Sequence, residues 1–348
     1  MWKQLRAEVL FEAAGPIAHF EGTDGNHSMI AMTKVRRPKG GFAMVPMVSG
    51  NSMRNRMRFV SSMALLRAAD MLGEKLSEPA LRLLFNGGSY AGKGDDAPSD
   101  EPKTKEKGAK KKAPKGVANI DYYRELCELV PSLAIFGGVA GRIIEGKLQV
   151  GQLLLVCEES RAHLPEWIVQ RLAEHEIEYD TARAHVERAQ NVRMDSMLRP
   201  AMRTLLLPDA QVEATAKLLR ADNAQAADES TGDADKSKML PYTFERVARG
   251  SLFYWSCTVT VNSALEEDTF YVTLAELLNS GPVVGGKRGV DDHGQLRCVD
   301  ARGIEVSREV RKADALDIES RKPGALFVPH VQERKERIAE FLRSSEVS

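Results

Sequence analysis

Leu252–Val261 alternates so regularly that it admits one local conformation. Phe253, Trp255, Cys257, Val259 and Val261 fall on one face, and Ser256, Thr258 and Thr260 on the other. Successive side chains of a strand point to opposite faces, so this period marks a β-strand with one face in a core. The chain must therefore build a sheet over an apolar layer. Three further segments read as partners. Leu5–Phe11 sets Leu5, Ala7, Val9 and Phe11 on one face. Met29–Val35 reads as a strand running into a Gly40-Gly41 turn, and Phe42–Val48 as a strand running into Ser49-Gly50-Asn51-Ser52. Lys147–Cys157 completes the set, with Leu148, Val150, Leu154 and Val156 aligned.

Helices alternate with these strands. Asn51 or Ser52 is placed to cap a helix ending at Gly73, its stripe formed by Met53, Met57, Val60, Ala64, Ala68 and Met71. Tyr122–Leu129, Pro165–Glu174 and Pro208–Arg220 read as helices. Phe270–Thr273 reads as a strand beside Leu252–Val261, followed by a short helix over 274–278 that stops at Gly281. Val331, Ile338, Phe341 and Leu342 line a terminal amphipathic helix. The order predicts an α+β fold with a core of RNA-recognition (ferredoxin-like) type, split by insertions.

Two stretches cannot join a core. Residues 93–115 contain no aliphatic side chain other than alanine, and seven lysines fall between 103 and 115. Such a stretch cannot bury enough surface to offset its chain entropy, which predicts a disordered Lys-rich loop. An Ala/Asp/Ser-rich stretch at 222–238 reads the same way. These markers divide the chain into a first core part (1–92), the loop (93–115), a second core part (116–160), an insertion (161–240) and a third core part with a Gly-rich loop and terminal helix (241–348).

Composition excludes several classes. The chain has 348 residues, 43% hydrophobic and 28% charged, which excludes a wholly disordered, collagenous or coiled-coil chain. No apolar run reaches the roughly 18 residues that span a bilayer. Met1 to Arg6 carries no apolar signal core, so a cytoplasmic protein without membrane contact is expected. The four cysteines, at 127, 157, 257 and 298, are too far apart for a zinc knuckle or dithiol pair. No cofactor and no metal site are expected.

Net charge is zero, with 49 basic and 49 acidic residues, but the signs are segregated. No acid occurs between Asp24 and Asp70, a span holding Lys34, Arg36, Arg37, Lys39, Arg54, Arg56, Arg58 and Arg67. Residues 158–180 instead hold seven acids against Arg161 and Arg171. A basic face suits an anionic ligand, and opposite faces on one chain suit head-to-tail contact between copies.

Three stretches carry chemistry. In the first, Ser49 to Arg58, a small polar turn opens a helix that carries Arg54, Arg56 and Arg58. Free N–H groups, the positive dipole end and forked guanidinium donors together make an anion site, against the plainer reading of a capped helix with a solvated basic face. In the second, Leu133 to Arg142, glycines beside a strand allow close approach of a backbone or ligand, and a tight turn is the simpler reading. The third, Gly281 to Gly289, nearly spells a phosphate-binding P-loop. It fails where Arg288 replaces the metal-ligating hydroxyl and where a helix precedes it, so ATP hydrolysis is not expected. A glycine loop with Lys287 and Arg288 still suits a sugar–phosphate backbone.

Together these stretches resemble the RAMP superfamily of CRISPR effector proteins. Gly50-Asn51-Ser52-Met53-Arg54 is similar to its Pro-Gly-Ser-Ser-Leu-(Lys/Arg) helix start. Leu133-Ala-Ile-Phe136-Gly137 followed by Gly146-Lys-Leu148-Gln-Val150 is similar to its Leu-Phe-Gly…Gly-x-Leu-x-Val stretch. Phe244 to Phe253 resembles its Val-x-x-Gly-Thr-x-Phe strand entry, and Gly285-Gly286-Lys287-Arg288-Gly289 its Gly-rich loop. The four motifs, in order, span about two thirds of the chain, and the whole looks most like the type IV backbone subunit.

That resemblance implies a right-hand shape, with an RNA-recognition palm and the 161–240 insertion as thumb. It implies copies polymerised along a CRISPR RNA, other effector subunits and an accessory helicase as partners, and target DNA or RNA paired to the guide. Carried onto this chain, RNA contacts would come from Asn51, Ser52, Arg54, Arg56, Arg58, Arg142, Gly285, Gly286, Lys287 and Arg288. Arg193, Met194, Met197 and Arg199 would be the thumb contacts, since Met wedges between bases and Arg stacks or pairs. Met194 and Met197 could equally be core.

Type III relatives cut target RNA with an aspartate in the loop after the first strands. This chain reads Asp24-Gly-Asn26-His27-Ser28 there, and the resemblance sets Asn, His or Ser at that place. A non-catalytic scaffold is the expectation. A subunit with metal-dependent target-RNA cleavage, using Asp24, is the alternative.

Overall fold

The computed structural model describes residues 2–24, 27–38, 40–88, 120–140, 142–194, 239–285, 293–306, 311–315 and 322–344. They form two compact units. The Lys-rich stretch at 93–115, the 222–238 stretch and the helix expected over Pro208–Arg220 lie outside the described residues.

The larger unit comprises residues 1–19, 31–186 and 247–348. Its sheet is ordered β14-β13-β1-β12-β9-β5-β4, with β8 also on β12. The strands are β1 (Lys3–Ala13), β4 (Met32–Arg36), β5 (Phe42–Val48), β8 (Leu148–Val150), β9 (Leu153–Leu155), β12 (Leu252–Val261), β13 (Leu296–Val306) and β14 (Arg311–Ala315). β1 runs antiparallel to both β12 and β13, and β12 antiparallel to β9. The helix α1 (Gly50–Ala68) follows β5 and lies between β1 and β9 in chain order, and α6 (Ala264–Ser280) links β12 to β13. This is the βαββαβ path with its second, third and fourth strands around the first in ferredoxin-like order. The α+β class expected from the sequence is the class observed.

The alternation of β12 sets the layers. Phe253, Trp255, Cys257, Val259 and Val261 are buried on one face. Burying each large apolar side chain of this kind stabilises the fold by about 1.5–3 kcal/mol. α1 and α6 pack against each other, and Leu65, Leu83, Leu126, Leu133, Val331, Ile338 and Leu342 form a helical core. It includes side chains from α3 (Ile120–Leu129), α4 (Pro131–Phe136), α7 (Phe327–Glu333) and α8 (Lys335–Arg343). On the opposite face of the sheet, α5 (Glu166–Glu174) sets Ile168 and Leu172 against Leu10 and Val156. The Trp167 indole donates to Glu8 there at 2.9 Å.

Several local expectations are corrected. Phe270–Thr273 is not a strand but the middle of α6. The Ser263-x-x-Glu266 pattern opens that helix: Ser263 Oγ accepts the Glu266 N–H at 3.2 Å, and Glu266 accepts the Asn262 N–H at 2.8 Å. Thr269 and Thr273 return their hydroxyls to the carbonyls four residues back, at 2.7 and 2.8 Å, so these β-branched residues sit comfortably in a helix. Met29–Val35 divides at Ala31, whose N–H bonds the His19 carbonyl at 2.7 Å while its carbonyl takes the Met47 N–H at 3.0 Å. Lys147–Cys157 divides at Gly151, which bonds Ser256 across the sheet at 2.8 Å. The terminal helix is two helices, α7 and α8, separated at Arg334.

The smaller unit comprises residues 20–30 and 187–246. Its sheet is ordered β10 (Val186–Met194), β11 (Met239–Val247), β3 (His27–Ile30), β2 (Phe20–Asp24). β11 and β3 are parallel, and Phe20 and Phe244 meet edge to face at 6.0 Å. The expected 161–240 insertion thus divides: 161–186 falls in the larger unit and 187–240 in the smaller.

Candidate functional site

The candidate site is built where β5 turns into α1. Ser49 has an extended backbone (φ −62°, ψ 145°) and its Oγ accepts the Ser52 N–H at 3.3 Å. The cap is Ser49, not Asn51 or Ser52, because the side-chain oxygen must reach forward to the third helical N–H. Asn51 is exposed, and the Ser52 hydroxyl lies 3.2 Å from that of Ser49. Gly50 seats this first turn on the sheet. A Cβ there would lie 2.5 Å from the Val150 carbonyl oxygen and 3.2 Å from that of Gly151. The first turn contains no acid, so its dipole end is not neutralised from within the helix.

His19, which sequence reasoning missed, joins this helix start to the Gly-rich loop. Its Nε2 accepts the Ser49 N–H at 3.3 Å, and burial lowers its pKa below the ordinary 6.5. The ring is therefore neutral and free to accept. One residue earlier, the Ala18 N–H bonds the Gly285 carbonyl at 2.5 Å. Gly285 has φ +53°, and a Cβ there would lie 2.9 Å from His19 atoms. On the far side of the loop, Gly294 bonds the Pro16 carbonyl at 2.8 Å. Pro16–His19 thus holds both feet of the Gly-rich loop and the start of α1. A lone histidine between apolar residues carries no spacing signal, so nothing in the sequence marked it.

The three arginines do not act together. Arg54 is half-buried and donates to the Leu148 carbonyl, beside the β8 end that receives Gly50. Arg56 is half-buried two residues on, on another side of the helix. Arg58 is buried and is corrected from phosphate ligand to structural clamp. It donates to the Gly137 and Phe136 carbonyls at 3.0 and 3.2 Å and lies 5.3 Å over the Phe136 ring. Burial, then the nearby Arg54 charge, lower its pKa to about 10, so it stays a cation at neutral pH. The signal was present: Ser61, Ser62 and Leu65, three, four and seven residues on, are small or apolar and inward-facing.

The glycines of the 133–142 stretch serve backbone packing. Gly137 (φ +69°) would place a Cβ 2.4 Å from the Ile144 carbonyl oxygen, and Gly146 one 2.4 Å from that of Phe136. A tight hairpin, β6 (Gly138–Ala140) with β7 (Arg142–Ile144), follows. Arg142 lies in β7, and Arg193 and Met194 at the end of β10, where the backbone path alone is described. Met197, Arg199, Gly286, Lys287 and Arg288 lie outside the described residues. In the smaller unit Asp24 is opposite His27 in the β2–β3 ladder, and His27 Nδ1 lies 2.8 Å from the Thr243 hydroxyl. Among the described residues no cluster of three or more His, Cys, Asp or Glu is placed to hold a metal ion, and no helix is long and apolar enough to cross a membrane.

Fold and site together define a ferredoxin-like α+β protein with a cationic, acid-free helix start tied to a glycine loop. No family model matches the sequence, and no curated protein matches it. Among solved structures the chain is similar to one titled "Type IV-B CRISPR Complex", at 17% identity and a TM-score of 0.46, over 88% of this chain and 92% of that one.

Proposed function

We propose that this chain is a guide-RNA-binding backbone subunit of a CRISPR interference ribonucleoprotein. Copies line up along the guide and present it for pairing with target nucleic acid. The observation that carries the reading is the attachment of the α1 start and both feet of the Gly-rich loop to one segment, Pro16–His19. Two of the motifs that resemble the RAMP superfamily are thereby neighbours in space. A phosphate at the first turn of α1 would meet the positive dipole end with Arg54 alongside, and Lys287 and Arg288 follow Gly285 by two and three residues. Binding of this kind tracks the sugar–phosphate chain and tolerates sequence. The proposed role is a non-catalytic, cytoplasmic scaffold without a cofactor, partnered by CRISPR RNA, by copies of itself and by other effector subunits.

The test is what the full-length protein carries when purified. Protected RNA of uniform length, bound by repeated copies of the chain, is expected. For a defined single-stranded RNA, log K should fall with log salt by roughly 0.7 per phosphate neutralised, and Arg54→Ala should remove about one contact from that slope. An affinity indifferent to salt would end the reading. Periodic cleavage of a labelled complementary RNA with Mg²⁺ would replace the scaffold by the nuclease alternative.

A further inference from the structure

The β4–β5 hairpin carries a surface that the fold does not use. Met32, Lys34 and Arg36 face Pro46, Met44 and Phe42 in register. Residues directly opposite in a ladder share a face, so Lys34, Arg36, Phe42 and Met44 lie together. The alternate residues, Val35, Ala43 and Val45, are buried. Register also settles which face of the main sheet this is. Tyr254 faces Leu154, and Leu154 faces Met47. Met47, Val45 and Ala43 therefore lie on the α5 side with Tyr254. Val48, Pro46, Met44 and Phe42 lie on the Phe253 and Trp255 side, the side of α6. β5 then runs through Ser49 directly into α1.

On this face Phe42 is 68% exposed and Met44 48%. Two large apolar side chains thus lie open to water beside two cations on one face. Lys34 and Arg36 are exposed and have no ion pair among the described residues, and no acid lies within the surrounding 25–69 stretch. The backbone below them is fixed: the Arg36 carbonyl lies 2.8 Å from His163 Nε2, and Gln152 reaches the Thr33 hydroxyl at 3.4 Å. The hairpin is thus a firm support for side chains that face solvent.

We infer that this face is a stacking platform for single-stranded RNA, with a base on Phe42 flanked by Met44 and the adjoining phosphates on Arg36 and Lys34. The charge pattern decides the occupant. Lys34 and Arg36, without an ion pair among the described residues and with no acid on their own hairpin, suit a polyanion, and an exposed ring among cations suits an unstacked base. The inference rests on the proposed RNA-binding role and adds a second contact, beside the α1 start, that nothing in the motif resemblance assigns.

The test uses the full-length protein, a fluorescent single-stranded RNA and a salt titration. Phe42→Ala should weaken binding about tenfold and leave the salt slope unchanged, because a stacked ring releases no counterion. The double variant Lys34→Ala/Arg36→Ala should reduce the slope by roughly 1.4, for two phosphates. Phe42→Trp, compared with the unchanged protein, should add tryptophan emission that RNA quenches. All three positions are exposed, so circular dichroism should show unchanged folding. If these variants bind RNA as the parent does while Arg54→Ala weakens binding, the platform is overturned and the RNA-binding role stands. If the parent itself binds no RNA, both fall. If Phe42→Ala leaves RNA affinity intact but abolishes self-association on gel filtration, the face is a protein contact and the inference is overturned.

Discussion

The Arg58 guanidinium donates to the carbonyl of Gly137 at 3.0 Å, across 79 residues of chain. That bond ties the third turn of α1 to the end of α4, where Gly137 has φ +69°. An arginine in a basic run would ordinarily count toward a ligand surface. Here the helix turns it inward.

Arg58→Ala should therefore act on stability. It would leave two buried carbonyls without their charged donor, at a cost of about 3 kcal/mol. Arg58→Lys supplies a point charge in place of a fork and should cost about half as much. Urea denaturation measures both, and the salt slope of RNA binding should be the same for Arg58→Lys as for the parent.

Gly50→Ala should destabilise by about 2 kcal/mol and weaken RNA binding together. Its Cβ would lie 2.5 Å from the Val150 carbonyl oxygen, so the first turn of α1 must lift from the sheet. Gly22, with nothing within 4 Å of a Cβ, is the control, and Gly22→Ala should fall within about 0.5 kcal/mol of the parent. Thermal melts and the same RNA titration test the pair.

His19 predicts a direction with pH. Burial lowers its folded pKa below the ordinary 6.5, so the folded state binds fewer protons than the unfolded chain. Stability from this site is full above about pH 6.5 and is lost as pH falls toward the folded value. Protonation also removes the Nε2 acceptor from the Ser49 N–H. The melting temperature should drop between about pH 7.5 and about pH 5, and His19→Gln should shrink that drop. His185, also lowered chiefly by burial, should account for part of what remains.

Asp268 anchors the C-terminal helices. Its carboxylate accepts the N–H groups of Gly324, Leu326 and Phe327 at 2.9, 2.8 and 2.7 Å, where α7 begins. Asp268→Ala should cost about 3 kcal/mol, and Asp268→Asn, which keeps one acceptor oxygen, about half that. Hydrogen exchange should rise first at Leu326 and Phe327.

The strand over Leu252–Val261, the strand over Phe42–Val48 and the helix opening near Ser49 could be read from the sequence alone, because each rests on a local rule: a two-residue period, or a small polar residue before a helical stripe. The same local rules misread Phe270–Thr273, whose aromatic and β-branched residues favour a strand until α1 packs beside them as a helix. Tertiary structure alone decided which distant carbonyls take up the Arg58 guanidinium, and that His19 ties α1 to the Gly-rich loop. The reason is one of range. Period and capping act over a few residues, whereas burial and the pairing of a guanidinium with distant carbonyls depend on which remote segments the fold brings together.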